Sequence, residues 1–227
     1  MNLRHIFILP ALLAAMACSD DSPVTPDTPD TPEGPDITNS VEKLVSIDAG
    51  QTFQTIAGFG ASDCWSPAFV GKSWTSHRAG ITELLFSSEI VGGKPKGIGL
   101  SQWRVNLGGG SAAQGEACGI EDKSRRAESY LTDDLTYDWT RCEGQRYFMD
   151  RAKELGCNNF VLFSNTPPVQ YTYNGKGFSA RGGLSNLKPE HYGDFAGYMA
   201  DVAARYTGEG YHISHISPVN EPQYNWD

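Results

Sequence analysis

The residues best suited to chemistry lie near the end of the chain, in Ile213-Ser214-His215-Ile216-Ser217-Pro218-Val219-Asn220-Glu221-Pro222. β-Branched Ile213, Ile216 and Val219, set among small polar residues, predict a short strand running into Asn-Glu-Pro. Pro222 has no backbone N–H and biases Glu221 toward an extended conformation. The carboxylate then stands where the strand must stop, beside an amide and ahead of Tyr224 and Trp226. That is the placement of a general acid/base. For the tripeptide alone a turn holding a solvated Glu is the favoured reading, so the weight falls on residues upstream. These are Asp63 and Trp65, then Arg104 and Asn106, then Asn165. His212 and His215, three apart on a strand, are expected on opposite faces and cannot share a metal. No Cys-x-x-Cys pair exists, which argues against a zinc ribbon. No metal or cofactor is expected.

Each of these residues needs an element to hold it. Val45-Ser46-Ile47-Asp48 alternates and predicts a strand, and residues 52–57 predict a second. The second leads into Gly58-Phe59-Gly60-Ala61-Ser62-Asp63-Cys64-Trp65. From Ser76 a helical period places Ile81, Leu84 and Leu85 on one face, and Gly92-Gly93 ends it. Residues 98–107 form the next strand, closed by Gly108-Gly109-Gly110-Ser111; without a following Gly-Lys-Ser/Thr this is no P-loop. The polar stretch to Arg141 reads as an elaborated loop. Residues 145–155 read as a helix aligning Phe148, Ala152 and Leu155, stopped by Gly156. Residues 159–164 are a nearly continuous apolar strand of the kind buried on both faces. Pro189 and Glu190 open the last helix, where proline is tolerated and an acid favoured. Its stripe is Tyr192, Phe195, Ala196, Met199, Val202, Ala203 and Tyr206, and Gly208 and Gly210 close it.

Apolar strands alternating with amphipathic helices indicate an α/β fold with a parallel sheet. A doubly wound dinucleotide-binding sheet announces itself by Gly-x-Gly-x-x-Gly after its first strand, and Gly58-Phe59-Gly60 lacks the third glycine. Polar residues at the carboxyl end of strand after strand are the pattern of a (β/α)8 barrel.

The formal net charge is −9. Residues 1–40 hold Arg4 against six acids, which is −5, leaving −4 for the remainder. There is no basic stripe to release counterions from nucleic-acid phosphates; a neutral or cationic partner is easier to accommodate, and a neutral sugar polymer fits. Arg4 and His5 precede an apolar run, 6–15, too short to span a bilayer but suited to a secretory signal. Ala15-Met16-Ala17-Cys18 resembles a bacterial lipobox, with Cys18 lipidated; cleavage by an ordinary signal peptidase is the alternative. Ser19-Asp20-Asp21 resembles a surface-export signal. Residues 1–18 are thus read as a lipoprotein signal, 19–40 as a Pro/Thr/Asp-rich linker and 41–227 as the barrel domain. In polyproline II form, residues 22–39 would hold that domain on the order of 50 Å from a membrane. The expected location is the cell envelope, lipid-anchored in the outer membrane and surface-exposed. Of the remaining cysteines, Cys118 and Cys142 could bridge a surface excursion; four separate thiols (Cys64, Cys118, Cys142, Cys157) are the equal alternative.

Four motifs in register carry a family resemblance: Gly58-Phe59-Gly60-Ala61-Ser62-Asp63-Cys64-Trp65, Trp103-Arg104-Val105-Asn106-Leu107-Gly108-Gly109-Gly110-Ser111, Phe163-Ser164-Asn165-Thr166-Pro167-Pro168, and Pro218-Val219-Asn220-Glu221-Pro222. Together they resemble glycoside hydrolase family 30, in particular its endo-β-1,6-galactanase-like branch. The resemblance implies the amino-terminal half of a (β/α)8 barrel and part of a β-sandwich side domain, to which residues 45–57 would contribute. It also implies retaining hydrolysis of a β-linked glycan: β-1,6-galactan first, with xylan and β-1,6-glucan open. Glu221 matches the acid/base, Asn220 the amide at the sugar 2-hydroxyl, and Arg104 the arginine near the nucleophile. Trp65, Asp63, Asn106, Asn165, Tyr224 and Trp226 are the expected substrate-binding residues. Two departures stand out. The family's nucleophile is a glutamate ending a seventh strand, beyond Asp227, and Glu116, Glu121 and Asp122 match no nucleophile motif. Gln170 stands where many relatives carry tryptophan. A catalytically inactive, surface glycan-binding lipoprotein and a truncated product are the alternative readings.

Overall fold

Short parallel strands frame the molecule. The computed structural model describes residues 45–224. In chain order the elements are β1 (Gly60–Ser62), α1 (Ser66–Ser73), α2 (Arg78–Phe86), β2 (Ile90–Val91), β3 (Lys94–Pro95), β4 (Gln102–Asn106), α3 (Glu143–Glu154), β5 (Asn159–Phe163), α4 (Tyr192–Gly208) and β6 (Ile213–Ser217). Four strands form one sheet in the order β1-β4-β5-β6, every neighbouring pair parallel. In register, Arg104 lies between Ser62 and Val161, and Asn106 beside Phe163. This is an α/β fold with a parallel sheet, as the alternation of elements predicts.

Strand alternation separates core from site. On β4, Trp103 and Val105 turn to the helices; Trp103 meets Phe86 of α2 edge-on at 5.0 Å and stacks with Phe148 of α3 at 6.4 Å. Phe160 and Leu162 of β5 join the same core, with Phe195, Tyr198, Met199, Val202 and Tyr206 of α4. Arg104 and Asn106, one residue out of phase, lie on the other face. There the Arg104 guanidinium lies 3.3 Å from the centroid of the Phe163 ring. α3 begins with Glu143 and ends with Arg151 and Lys153, charges that complement its dipole. Gly156, at φ 97°, then takes the left-handed backbone that ends it.

Several expectations need correction. The chain divides after Phe53 into two units, and neither 45–48 nor 52–57 is a strand. Val45 and Ile47 are 77% and 81% exposed: alternation makes a strand only where a neighbour supplies hydrogen bonds and a face to bury. Among the described residues of the first unit there is only a turn, with Gly50 N–H donating to Asp48 Oδ1 at 2.9 Å. The first strand begins at Gly60 instead. In α2 the buried positions are Thr82 and Phe86, whereas Leu84 is 62% exposed. Gly92-Gly93 does not end that helix. Both adopt positive φ, 57° and 79°, and turn the β2–β3 hairpin, which only a left-handed pair fits well. On α4, Tyr192 is exposed and Tyr198, left out of the predicted stripe, is buried with its hydroxyl on Ser129 Oγ at 3.1 Å. All four described cysteines are free thiols, so Cys118 and Cys142 form no bridge.

Candidate active site

The site begins where β1 runs out. Asp63 N–H still donates to Arg104 O at 2.9 Å. The Asp63 carboxylate then takes over as acceptor: Oδ1 receives Asn106 N–H at 2.8 Å, and Oδ2 receives the Gln145 amide at 2.6 Å. The same Gln145 nitrogen reaches Asn106 O at 2.8 Å. One side chain from α3 therefore ties together the ends of β1 and β4. The linkage continues to β5: Asn106 Oδ1 accepts from Asn165 N at 3.3 Å, and Asn165 Nδ2 reaches Cys64 Sγ at 2.8 Å. Asp63 is 2% exposed. Burial pushes its carboxyl up to about 7, against the pull of the Asn106 and Gln145 donors and the Arg104 charge. Burial and the neighbouring Asp63 raise the Cys64 thiol to about 12, which removes it as a nucleophile near neutral pH.

Above this linkage Arg104 Nη2 donates to Asn220 Oδ1 at 2.6 Å. Asn220 is therefore fixed by a residue from β4, and the chain after β6 is anchored just before Glu221. A second anchor follows, with Tyr224 N–H donating to Glu221 O at 2.9 Å. Between the two, Glu221 adopts φ 43°. The proline bias toward an extended Glu221 is thus overridden. A non-glycine residue held there costs on the order of 1–3 kcal/mol and persists only where its surroundings impose it.

A groove of about 980 Å³ runs over these strand ends. Trp65, Asn165, Asn220, Glu221 and Tyr224 line it. Arg104 holds Asn220, while Asp63 and Asn106 are buried and tie the strand ends together. Trp226 and Cys18 lie outside the described residues. The Gln170 amide donates to Asp133 Oδ1 at 3.0 Å. His212 and His215 are exposed and separate, and among the described residues no group of three or more His, Cys, Asp or Glu could hold a metal. No described helix is long and apolar enough to cross a membrane.

Sequence reasoning missed much of the groove wall. Residues 119–122 with Arg125, and residues 177–179 with 183–187, also line the groove. The two loops touch, since a methyl group on Gly119 would meet the Phe178 ring at 3.3 Å. The Arg125 guanidinium lies 5.0 Å from the Trp65 ring centroid. Gln145 carried no local signal, because its partner Asp63 is 82 positions away.

Comparison with known proteins identifies relatives of the chain. The chain is 26% identical over 199 residues to an endo-beta-1,6-galactanase of Hypocrea rufa, covering 80% of this chain and 40% of that protein. Among solved structures, a conserved exported protein from Bacteroides fragilis superposes with a TM-score of 0.73 at 37% identity, over 79% of this chain and 37% of that one. The catalytic domain of the family 30 xylanase C from Talaromyces cellulolyticus shares the fold, with a TM-score of 0.51 at 21% identity over 78% of this chain and 39% of that one. The chain thus spans about two fifths of the length of the curated relative it matches. The model of O-glycosyl hydrolase family 30 matches residues 42–227, and the chain belongs to that family.

Proposed function

We propose that this chain supplies the amino-terminal half of a (β/α)8 barrel in a retaining endo-glycosidase, with β-1,6-galactan as substrate. The observation that carries the reading is the pairing of an anchored amide with a constrained acid. Arg104 holds Asn220 by its oxygen, which leaves the Asn220 NH2 free to donate to a sugar hydroxyl. Glu221 follows directly, at the groove, on a left-handed backbone.

In the proposed reaction Glu221 protonates the glycosidic oxygen as the bond to the anomeric carbon breaks. A second carboxylate, about 5–5.5 Å away, attacks that carbon and forms a glycosyl-enzyme. Glu221, now ionised, takes a proton from water, and the hydroxide displaces the enzyme carboxylate with a second inversion. The attacking group is assigned, from the family resemblance, to a strand beyond Asp227. Trp65 and Tyr224 offer flat apolar faces to the sugar rings. The galactan assignment draws on the fungal relative's activity and on the groove's lack of a cationic excess, with Arg125 set against Glu121, Asp122 and Glu221.

The test is hydrolysis of β-1,6-galactan by the intact gene product, followed by NMR of the first-formed anomer. The expected outcome is internal cleavage to oligosaccharides with β configuration. Initial α product would overturn the retaining mechanism, and faster cleavage of xylan or β-1,6-glucan would overturn the substrate.

A further inference from the structure

The wall at residues 116–126 is built around one buried arginine. Arg126 has a side chain only 8% exposed. Its Nη1 and Nη2 reach the two oxygens of Glu116, each at 3.0 Å. Its Nε donates to Ile120 O at 2.7 Å, and Nη2 also donates to Glu121 O at 3.3 Å. Ile120 N–H donates to Cys118 Sγ at 3.3 Å. The backbone on both sides of Glu121 is thereby fixed, while its side chain is exposed at the groove.

The charges along the groove are not equivalent. One oxygen of Asp122, Oδ1, is engaged by Ser124, whose N–H and hydroxyl donate to it at 2.9 and 2.7 Å. Arg125, the one cation among the described groove-lining residues, sits by the Trp65 ring. Glu121 has no side-chain partner among the described residues. A clamped loop that presents an uncommitted carboxylate into a groove is suited to accept hydrogen bonds from adjacent sugar hydroxyls. The same charge repels a ligand bearing carboxylate or sulfate.

We propose that Glu121 is a specificity-determining residue of the groove, accepting hydroxyls of a neutral glycan and excluding anionic ones. This rests on the glycosidase reading for its catalytic readout, and a binding measurement makes it testable apart from that reading. Two unit charges near contact in water interact by an amount equivalent to about five-fold in affinity. Salt near 1 M, with a screening length of about 3 Å, should largely remove that effect.

The experiment compares the intact gene product with Glu121→Gln on two ligands. One is a neutral β-1,6-galacto-oligosaccharide, and the other is the same oligosaccharide capped by a uronic acid. Binding is measured by calorimetry in a Glu221→Ala background, so that neither ligand is consumed, and KM and kcat are measured with Glu221 intact. The expected result is about five-fold weaker binding of the capped ligand by the parent protein, reduced to near parity by Glu121→Gln or by 1 M salt. In turnover the substitution should raise KM for the neutral substrate and narrow the KM ratio between the two ligands. An equal preference in parent and variant at low salt overturns the proposal. If both ligands bind with the predicted ratio and neither is cleaved with Glu221 intact, the hydrolase reading fails and the role of Glu121 stands.

Discussion

Asp63 has a structural task at the end of β1: its oxygens accept from Asn106 and Gln145 inside the protein. Its burial is completed by α3, an element far away in sequence. The consequence is a pH dependence. With a native pKa of about 7 against 3.8 in the unfolded chain, the folded state holds the extra proton across that interval. Stability from this group is complete below about pH 4 and is lost as pH rises through about 7. Between pH 4.5 and 8 the parent should lose on the order of 3 kcal/mol relative to Asp63→Asn, measured by urea unfolding of the intact gene product. Parallel stability curves for the two proteins would contradict this. Glu221 and Asn220 could be proposed from the sequence because their pattern is local, an amide and an acid before a proline. Glu121 drew notice only as an acid without a nucleophile motif, because its loop is defined by Arg126, which no periodicity announces.

At the scale of elements, α1 and α3 touch backbone to backbone. A methyl group on Gly71 would meet the Gly144 carbonyl, and one on Gly144 would meet Ala68 O and Lys72 N. Gly144 immediately precedes Gln145, so this contact sets how far α3 sits from the Asp63 clamp. Gly144→Ala should cost on the order of 3 kcal/mol by overpacking and should also weaken substrate binding as Gln145 is displaced. A thermal unfolding curve unchanged from the parent would show that the helices separate freely. The elements most legible in the sequence were those whose burial is strongly patterned. β5 has an unbroken apolar run, and α4 keeps Phe195, Met199, Val202 and Tyr206 on one face. The start of β1 was misplaced because residues 45–48 alternate and 52–57 carry β-branched and aromatic residues; what both lack among the described residues is a strand neighbour. Gly92-Gly93 was misread because a helix stop and a hairpin turn demand the same left-handed backbone.

For the molecule as a whole, the described sheet has β1 and β6 as its edges, and Ile216 and Val219 stand exposed along the β6 side. Open parallel edges with apolar flanks recruit further chains. Residues 45–227 expressed alone should therefore associate with rising concentration and show no hydrolysis. A monodisperse monomer by light scattering, melting cooperatively, would contradict this. The tether is a separate proposal: Cys18→Ala, which removes the thiol that would carry the lipid, should move the protein from the membrane to the soluble fraction, and unchanged partitioning would sink it. The central claim is that Glu221 is the acid/base, and its most direct test is Glu221→Ala in the intact gene product, assayed on two substrates. Cleavage of galactan, which has a poor leaving group, should fall by about 10²–10⁴-fold. An aryl β-galactoside with an acidic phenol should still react in its first step and accumulate as glycosyl-enzyme. Azide should then restore turnover and yield the β-glycosyl azide. Wild-type rates on both substrates would show that Glu221 is only a turn residue.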